Sequence, residues 1–311
     1  MSTDIDILRE TLITELLRAL GLPKTDWLLQ IFIRLLHGPL EQFVQGGLTF
    51  DQIVADRGLQ PAAAWLLDRF CTRVSVCGLE TIPHAGPLLV VSNHPGAIDV
   101  LLLLASLHRP DVKIITNNIP FLQRLPATSA HLIYGSRTND ITKRMSAVRL
   151  AIRHLQSGGA LLLLGTGHID PDPEVYPDAA QSIDRWSPSI ELFLRQVPRS
   201  TRGVETQVLL AIVSGVLSPR WAHHPITWLR KEPRRKRLLA EMAQVAHQTL
   251  FPRLRYLSPR LTFSPPVSLP ELQQESRSPR VLPAILTRAQ SLLAQHMHNV
   301  KRNSLFENRY S

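Results

Sequence analysis

The sequence predicts an α/β fold, a mainly parallel, helix-covered sheet with a helical region before it and a helix after it. Three observations carry that prediction. Short apolar runs rich in Val, Ile and Leu alternate with longer helical stretches from residue 73 to about residue 268. Before residue 73 the punctuation and apolar spacing are helical throughout. With 311 residues, 44% of them apolar, the chain buries a large core without disulfide or metal staples, and intrinsic disorder is excluded.

The elements follow in order. From Asp4 to about Phe70, Gly21-Leu22-Pro23, Gly38-Pro39 and Gly46-Gly47 each stop a helix, and Thr49-Phe50-Asp51-Gln52 has capping-box spacing for the next. The segment from Trp27 to His37 is apolar around most of its circumference, with Gln30, Arg34 and His37 on one side. It reads as a buried helix of an N-terminal bundle, and an interfacial membrane helix is the other reading. Strands are expected at Val74 to Cys77, Leu88 to Ser92, Val112 to Thr116, Leu132 to Tyr134, Ala160 to Leu164 and Gln207 to Val213. Helices are expected at Ile98 to Leu107, Asp140 to Gln156, Ser187 to Gln196 and Glu232 to Leu250. After Leu261-Thr262-Phe263, a stretch containing Pro265-Pro266, Pro270 and Pro279 leads to a final helix from Val281 to about Val300, which reads as an appendage. The chain thus divides into a helical region (1–72), an α/β domain (73–268), and a Pro- and Ser-rich linker with the C-terminal helix (269–311).

Charge and composition narrow the partners. Lys and Arg number 35 against 25 Asp and Glu, a formal +10, and 29 of the 35 are Arg. The guanidinium fork suits phosphates and carboxylates, so nucleic acid, an anionic membrane surface and a phosphate-bearing substrate or carrier are all open. Aromatic residues make up only 6% and do not interleave with the basic stretches, so no nucleic acid is expected. No stretch reaches the roughly 18 to 20 apolar residues that span a bilayer, and the N-terminus has no signal-peptide pattern. Cys71 and Cys77 are without a second pair, which supports neither a disulfide framework nor zinc and fits a reducing compartment.

The sharpest chemical feature is Leu88-Leu89-Val90-Val91-Ser92-Asn93-His94-Pro95-Gly96-Ala97-Ile98-Asp99. An apolar strand ends, His94 stands on the turn, and Asp99 lies where the next helix begins. A carboxylate accepting from one imidazole N–H fixes the tautomer and leaves the other nitrogen as a general base. The plain alternative is a packing or capping histidine. Of the twelve histidines, His94 alone has a carboxylate five residues later.

Asn-His, four residues and Asp, after an apolar strand and before a leucine-rich helix, resembles the first motif of the glycerolipid acyltransferases, the lysophosphatidate and glycerol-3-phosphate acyltransferase superfamily. The resemblance runs over roughly Gly78 to Val216. Ile133-Tyr134-Gly135-Ser136-Arg137 stands where that family has its second block, which makes Arg137 the residue implied to hold the acceptor's phosphate. Asn139-Asp140-Ile141-Thr142-Lys143-Arg144 is similar to the soluble plastid glycerol-3-phosphate acyltransferases. In the third block Gly165-Thr166 keeps the family's Gly-Thr pair, but Leu164 replaces its Glu and Gly167 its Arg. His168 and Asp170 stand where the plastid enzymes have arginines, which weakens any site for a doubly charged phosphate. The fourth block matches only in outline, at Val208 to Gly215.

The resemblance implies a glycerolipid acyltransferase fold. It also implies O-acyl transfer from an acyl thioester, acyl-CoA or acyl-carrier protein, to a hydroxyl of a lysophospholipid or other glycerol-derived acceptor. His94 and Asp99 are the expected catalytic residues. Asn93, Gly96, Arg137, Gly165, Thr166, Gly167 and His168 are the expected substrate-binding ones, with backbone N–H groups near Gly96 and Gly165 to Gly167 as oxyanion donors. No cofactor is expected beyond the thioester co-substrate. A metal on the acidic loop Asp170, Asp172, Glu174 and Asp178 is not expected either, because turn chemistry explains that loop. Arg230 to Arg237 holds six basic residues in eight, suited to coenzyme A phosphates, an acidic carrier or anionic headgroups. The protein is expected in the cytoplasm, peripherally at the inner face of the membrane. An idle lipid-binding member of the same fold and a basic nucleic-acid-binding protein are the alternatives.

Overall fold

The computed structural model of the protein describes residues 2–19, 37–135, 141–278 and 280–307. Its centre is an eight-stranded sheet built from β1 (Ser75–Cys77), β2 (Leu88–Ser92), β3 (Val112–Asn117), β4 (Leu132–Gly135), β5 (Ala160–Leu164), β6 (Gln207–Ser214), β7 (Arg260–Phe263) and β8 (Val267–Ser268). The order is β1-β7-β6-β2-β5-β3-β4, with β8 paired on β6. The five strands from β6 to β4 are mutually parallel, whereas β7 and β8 run antiparallel to β6. The mainly parallel α/β class read from the sequence is the class observed.

The principal helices are α1 (Ser2–Ala19), α2 (His37–Arg57), α3 (Leu59–Phe70), α4 (Ala97–Ser106), α5 (Ile141–Gln156), α6 (Ser189–Gln196), α7 (Pro233–Leu250), α8 (Leu269–Ser276) and α9 (Leu282–Glu307). A strand covered on both faces must be apolar on both, and β2 is: all five of its residues are buried. Leu88 and Val90 point to one core, with α3 and α4, and Leu89 and Val91 to the other, with α5, α6 and α9.

The structure corrects three expectations. Gly46-Gly47 does not stop a helix; α2 runs through it to Arg57. A Cβ on Gly47 would lie 2.7 Å from the Phe121 ring, so this glycine lets the Pro120–Gln123 turn approach. Thr49 is mid-helix, its hydroxyl donating to the Gln45 carbonyl oxygen at 2.8 Å, and Asp51 instead accepts from the Thr128 N–H at 2.7 Å, at the start of the Pro126–Ser129 turn. The C-terminal helix is no appendage either. Val281, Ile285, Ala289, Leu292 and Leu293 form a buried stripe on the sheet. At about 1.5–3 kcal/mol for each large side chain, that stripe makes α9 part of the core. The antiparallel β7 and β8 were not foreseen: each is too short to show alternation, and Pro265-Pro266 lies between them. The segment 20–36, with the apolar stretch after Trp27, lies outside the described residues.

Candidate active site

Parallel pairing places Ser92, the last residue of β2, beside Leu164 of β5 and Ala211 of β6. The loops leaving β2, β5 and β6 therefore share one edge of the sheet, where α/β folds bind ligands. Asn93 fastens the first of these loops: its Nδ2 donates to the Val213 carbonyl oxygen at 2.8 Å and its Oδ1 accepts from the Val213 N–H at 2.8 Å. Asn93 is buried and turned to β6, so it positions the turn in place of the substrate contact expected of it.

His94 comes next. Its backbone is clamped on both sides by Asp170: the His94 N–H donates to Asp170 Oδ2 at 2.9 Å, and the Asp170 N–H donates to the His94 carbonyl oxygen at 2.7 Å. Its Nδ1 lies 2.9 and 3.2 Å from the two Asp99 oxygens. Asp99 is fully buried in the first turn of α4, where a carboxylate suits the helix dipole, and it also accepts from the Gly96 N–H at 3.1 Å. Donation from Nδ1–H to Asp99 leaves Nε2 as the free nitrogen, and among the described residues nothing hydrogen-bonds it. The side chain is 19% exposed, so Nε2 belongs to the open side of the site.

Burial alone would lower the His94 pKa. The Asp99 carboxylate, by charge and hydrogen bond, outweighs it with help from Glu241 and Asp170, and the pKa is pushed up to about 9. Glu241, unforeseen from the sequence, reaches in from α7. Its Oε1 accepts from the Ala97 N–H, and burial pushes its own pKa up to about 8, opposed by the His94 charge and reinforced by Asp99. Gly96 lies between this carboxyl and the turn: a Cβ there would meet Glu241 Oε1 at 2.8 Å and Val216 Cγ2 at 3.3 Å.

The loop after β5 supports more than it exposes. The Gly165 N–H donates to the Ser92 carbonyl oxygen at 2.7 Å, and the Gly167 N–H to the Leu164 carbonyl oxygen at 2.9 Å. With the Gly96 N–H on Asp99 and the Ala97 N–H on Glu241, these four N–H groups are engaged within the protein, whereas the Thr166 N–H of the same stretch is not among them. Gly165 is also covered by the Trp186 indole, 2.4 Å from a Cβ built there. The Thr166 hydroxyl lies 2.8 Å from Asp170 Oδ1 and accepts from the His168 N–H at 3.2 Å, which holds in place the carboxylate that clamps the His94 backbone. His168 is exposed, and its pKa is held down by burial, then by the Arg234 charge. Arg137 lies outside the described residues.

The acidic loop works as a bracket. Buried Asp172 accepts from the N–H groups of Glu174, Gly215, Val216 and Leu217 at 2.8–3.1 Å, joining the β5 loop to the β6 loop. Burial pushes its pKa up to about 6 despite these bonds. Among the described residues no group of His, Cys, Asp and Glu is arranged to hold a metal. The spacing from His94 to Asp99 exposed that pair; the 76 residues from His94 to Asp170 and the 144 from Ala97 to Glu241 carry no such signal. One clue did exist, since Glu241, Gln244 and Gln248 lie on the buried face of α7, a polar stripe where an amphipathic helix should be apolar.

Residues 73–177 match the model of the acyltransferase family. Among solved structures, the crystal structure of the 1-acyl-sn-glycerophosphate (LPA) acyltransferase PlsC from Thermotoga maritima is similar at 16% identity, covering 81% of each chain, with a TM-score of 0.41. No curated protein matches the sequence. The part of the chain that matches the acyltransferase family is thus the part that carries the His94–Asp99 pair and the buried Asp170 that clamps the His94 backbone.

Proposed function

We propose that the protein is an acyltransferase that moves a fatty acyl group from an acyl thioester, acyl-CoA or acyl-carrier protein, to a hydroxyl of a glycerolipid or lysophospholipid. The observation that carries this reading is the His94–Asp99 contact, with Nε2 free at the open edge of the sheet, inside the stretch that matches the acyltransferase family. Nε2 accepts the acceptor's hydroxyl proton as the oxygen attacks the thioester carbonyl carbon. Asp99 holds the ring and stabilises the imidazolium that forms. Collapse of the tetrahedral adduct breaks the C–S bond, and the imidazolium returns its proton to the leaving thiolate, giving ester and free thiol.

The acceptor is read as weakly charged at this edge. Asp99, Asp170 and Glu241 surround His94, and third-block positions where related enzymes place arginine hold Gly167, His168 and Asp170. A doubly anionic phosphate beside three carboxyl groups gains little unless Arg137 approaches it. Among the described residues no helix is long and apolar enough to cross a membrane, and we read the enzyme as acting peripherally at the inner face of the membrane.

The test is a matrix of purified protein, two donors (acyl-CoA and acyl-carrier protein) and a panel of acceptors (lysophosphatidate, neutral lysophospholipids, monoacylglycerol, glycerol-3-phosphate), scored by ester product. Transfer to at least one lipid acceptor is expected, with glycerol-3-phosphate the poorest. Lipid binding without transfer to any acceptor would favour the idle lipid-binding reading.

A further inference from the structure

We propose that the short turn Pro225–Leu229 and the start of α7 form a docking surface for an anionic phospholipid bilayer, with Trp228 and Leu229 as its inserted tip. Trp228 is 75% exposed and Leu229 70%, the two highest values among large apolar side chains of the described residues. An indole and a leucine held in water side by side suit the boundary between headgroups and acyl chains. The next eight residues, Arg230 to Arg237, hold six cations and one carboxylate, Glu232, which pairs with Arg235 at 3.0 Å. Lys231, Arg234 and Arg235 are exposed.

These cations sit at the wrong end of a helix for its own dipole, so helix stability does not account for them, whereas an external sheet of negative charge does. Apolar tip and basic collar together match an anionic bilayer better than a soluble phosphate ligand, which would have no use for two exposed apolar side chains. The surface is also continuous with the site. Seven residues beyond Arg234, two turns down α7, Glu241 contacts the α4 N-terminus beside His94, and the Arg234 charge reaches His168. An acceptor lying in the bilayer would then meet the site without leaving the membrane. That consequence rests on the proposed reaction, but the docking itself does not.

Vesicle binding without substrate tests it. Full-length protein is sedimented with sucrose-loaded vesicles of phosphatidylcholine alone, or with about one quarter phosphatidylglycerol, and tryptophan quenching by brominated acyl chains is recorded in parallel. Binding to the anionic vesicles is expected, falling about tenfold in the Trp228→Ala/Leu229→Ala variant and about tenfold or more in Lys231→Glu/Arg235→Glu. The part of the quenching due to Trp228 disappears in Trp228→Phe. Wild-type protein that ignores anionic vesicles overturns the proposal, as do double variants that bind like wild type or quenching unchanged in Trp228→Phe. A basic collar that serves coenzyme A or an acidic carrier instead would show as a raised thioester KM in Lys231→Glu/Arg235→Glu with vesicle binding intact, which also overturns it. Because binding is scored without acyl transfer, failure of the catalytic reading leaves this result interpretable.

Discussion

Two histidines sit near the ends of adjacent strands and have opposite environments. His94 follows β2; its Nδ1 faces a carboxylate, its Nε2 is free, and its pKa is pushed up to about 9. His296, on α9, is sealed at 1% exposure beside Ser214, the last residue of β6. Its Nε2 lies 2.7 Å from Ser214 Oγ and its Nδ1 2.7 Å from Thr262 Oγ1. Ser214 donates to Glu174, itself paired with Arg260, so Ser214 accepts from His296 Nε2–H and Thr262 donates to Nδ1. Burial, then the Arg260 charge, pushes this imidazole down to about 4. Both rings are hydrogen-bonded, but only one has a carboxylate on one nitrogen and open space at the other. That combination makes a proton acceptor for a substrate; two hydroxyls in a closed core make a fastener that holds α9 to the sheet.

Breaking the His94 centre should give the largest effect. His94→Ala is expected to lower kcat about 10³-fold, roughly 4 kcal/mol of transition-state stabilisation, and Asp99→Asn about 10²-fold with the ring still in place. Initial-rate assays of thiol release against acceptor concentration separate kcat from KM. Activity within tenfold of wild type in His94→Ala would remove the general base.

His296→Ala should do the reverse. It removes one hydrogen-bond partner from each of two buried hydroxyls and leaves a cavity, so unfolding free energy in a urea titration should fall by about 3 kcal/mol while kcat of the folded protein holds. A large loss of kcat without loss of stability would move His296 into the chemistry. The pH dependence sharpens the contrast. His296 has a depressed folded pKa, so its contribution is present above the unfolded value near 6.5 and is lost as pH falls through about 4. Wild-type stability should drop by about 3 kcal/mol over that window, and the His296→Ala curve should be flatter there. His94 runs the other way: its contribution is present below pH 6.5 and is lost as pH rises through about 9.

The two centres also differ in how far the sequence disclosed them. The six parallel-type strand segments, the main helices of the α/β domain and the His94–Asp99 pair were legible because their signals are local: apolar runs, alternation with helical periods, and a five-residue spacing across one turn. Asn93 was visible as a residue but not in its role, since its partner Val213 belongs to another strand. The His296 network was not foreseen, because Ser214, Thr262, Glu174 and Arg260 come from three separate stretches and join only when α9 packs on the sheet. That the Gly96, Gly165 and Gly167 N–H groups are already taken was hidden for a related reason. Glycine marks a strand-end turn in the sequence, but which acceptor takes each N–H is decided by neighbouring strands and by Glu241.

The finest test of the comparison acts on that glutamate, whose counterpart the His296 centre lacks. With its pKa pushed up to about 8, Glu241 is mostly neutral at pH 7 and gains charge just as His94 titrates. Its charge favours the imidazolium, so it delays the appearance of free base as pH rises. Glu241→Gln keeps an oxygen for the Ala97 N–H and removes the charge. The acid limb of the kcat/KM profile should therefore move to lower pH by about half a unit to one unit, worth about 1 kcal/mol. KM and urea stability should change little. An unmoved limb would mean that Glu241 only caps α4, and a limb moved to higher pH would mean that the sign of its coupling to His94 is wrong. The same pH profile measured on His296→Ala should overlay wild type, because that ring titrates near pH 4 in a core that no substrate reaches.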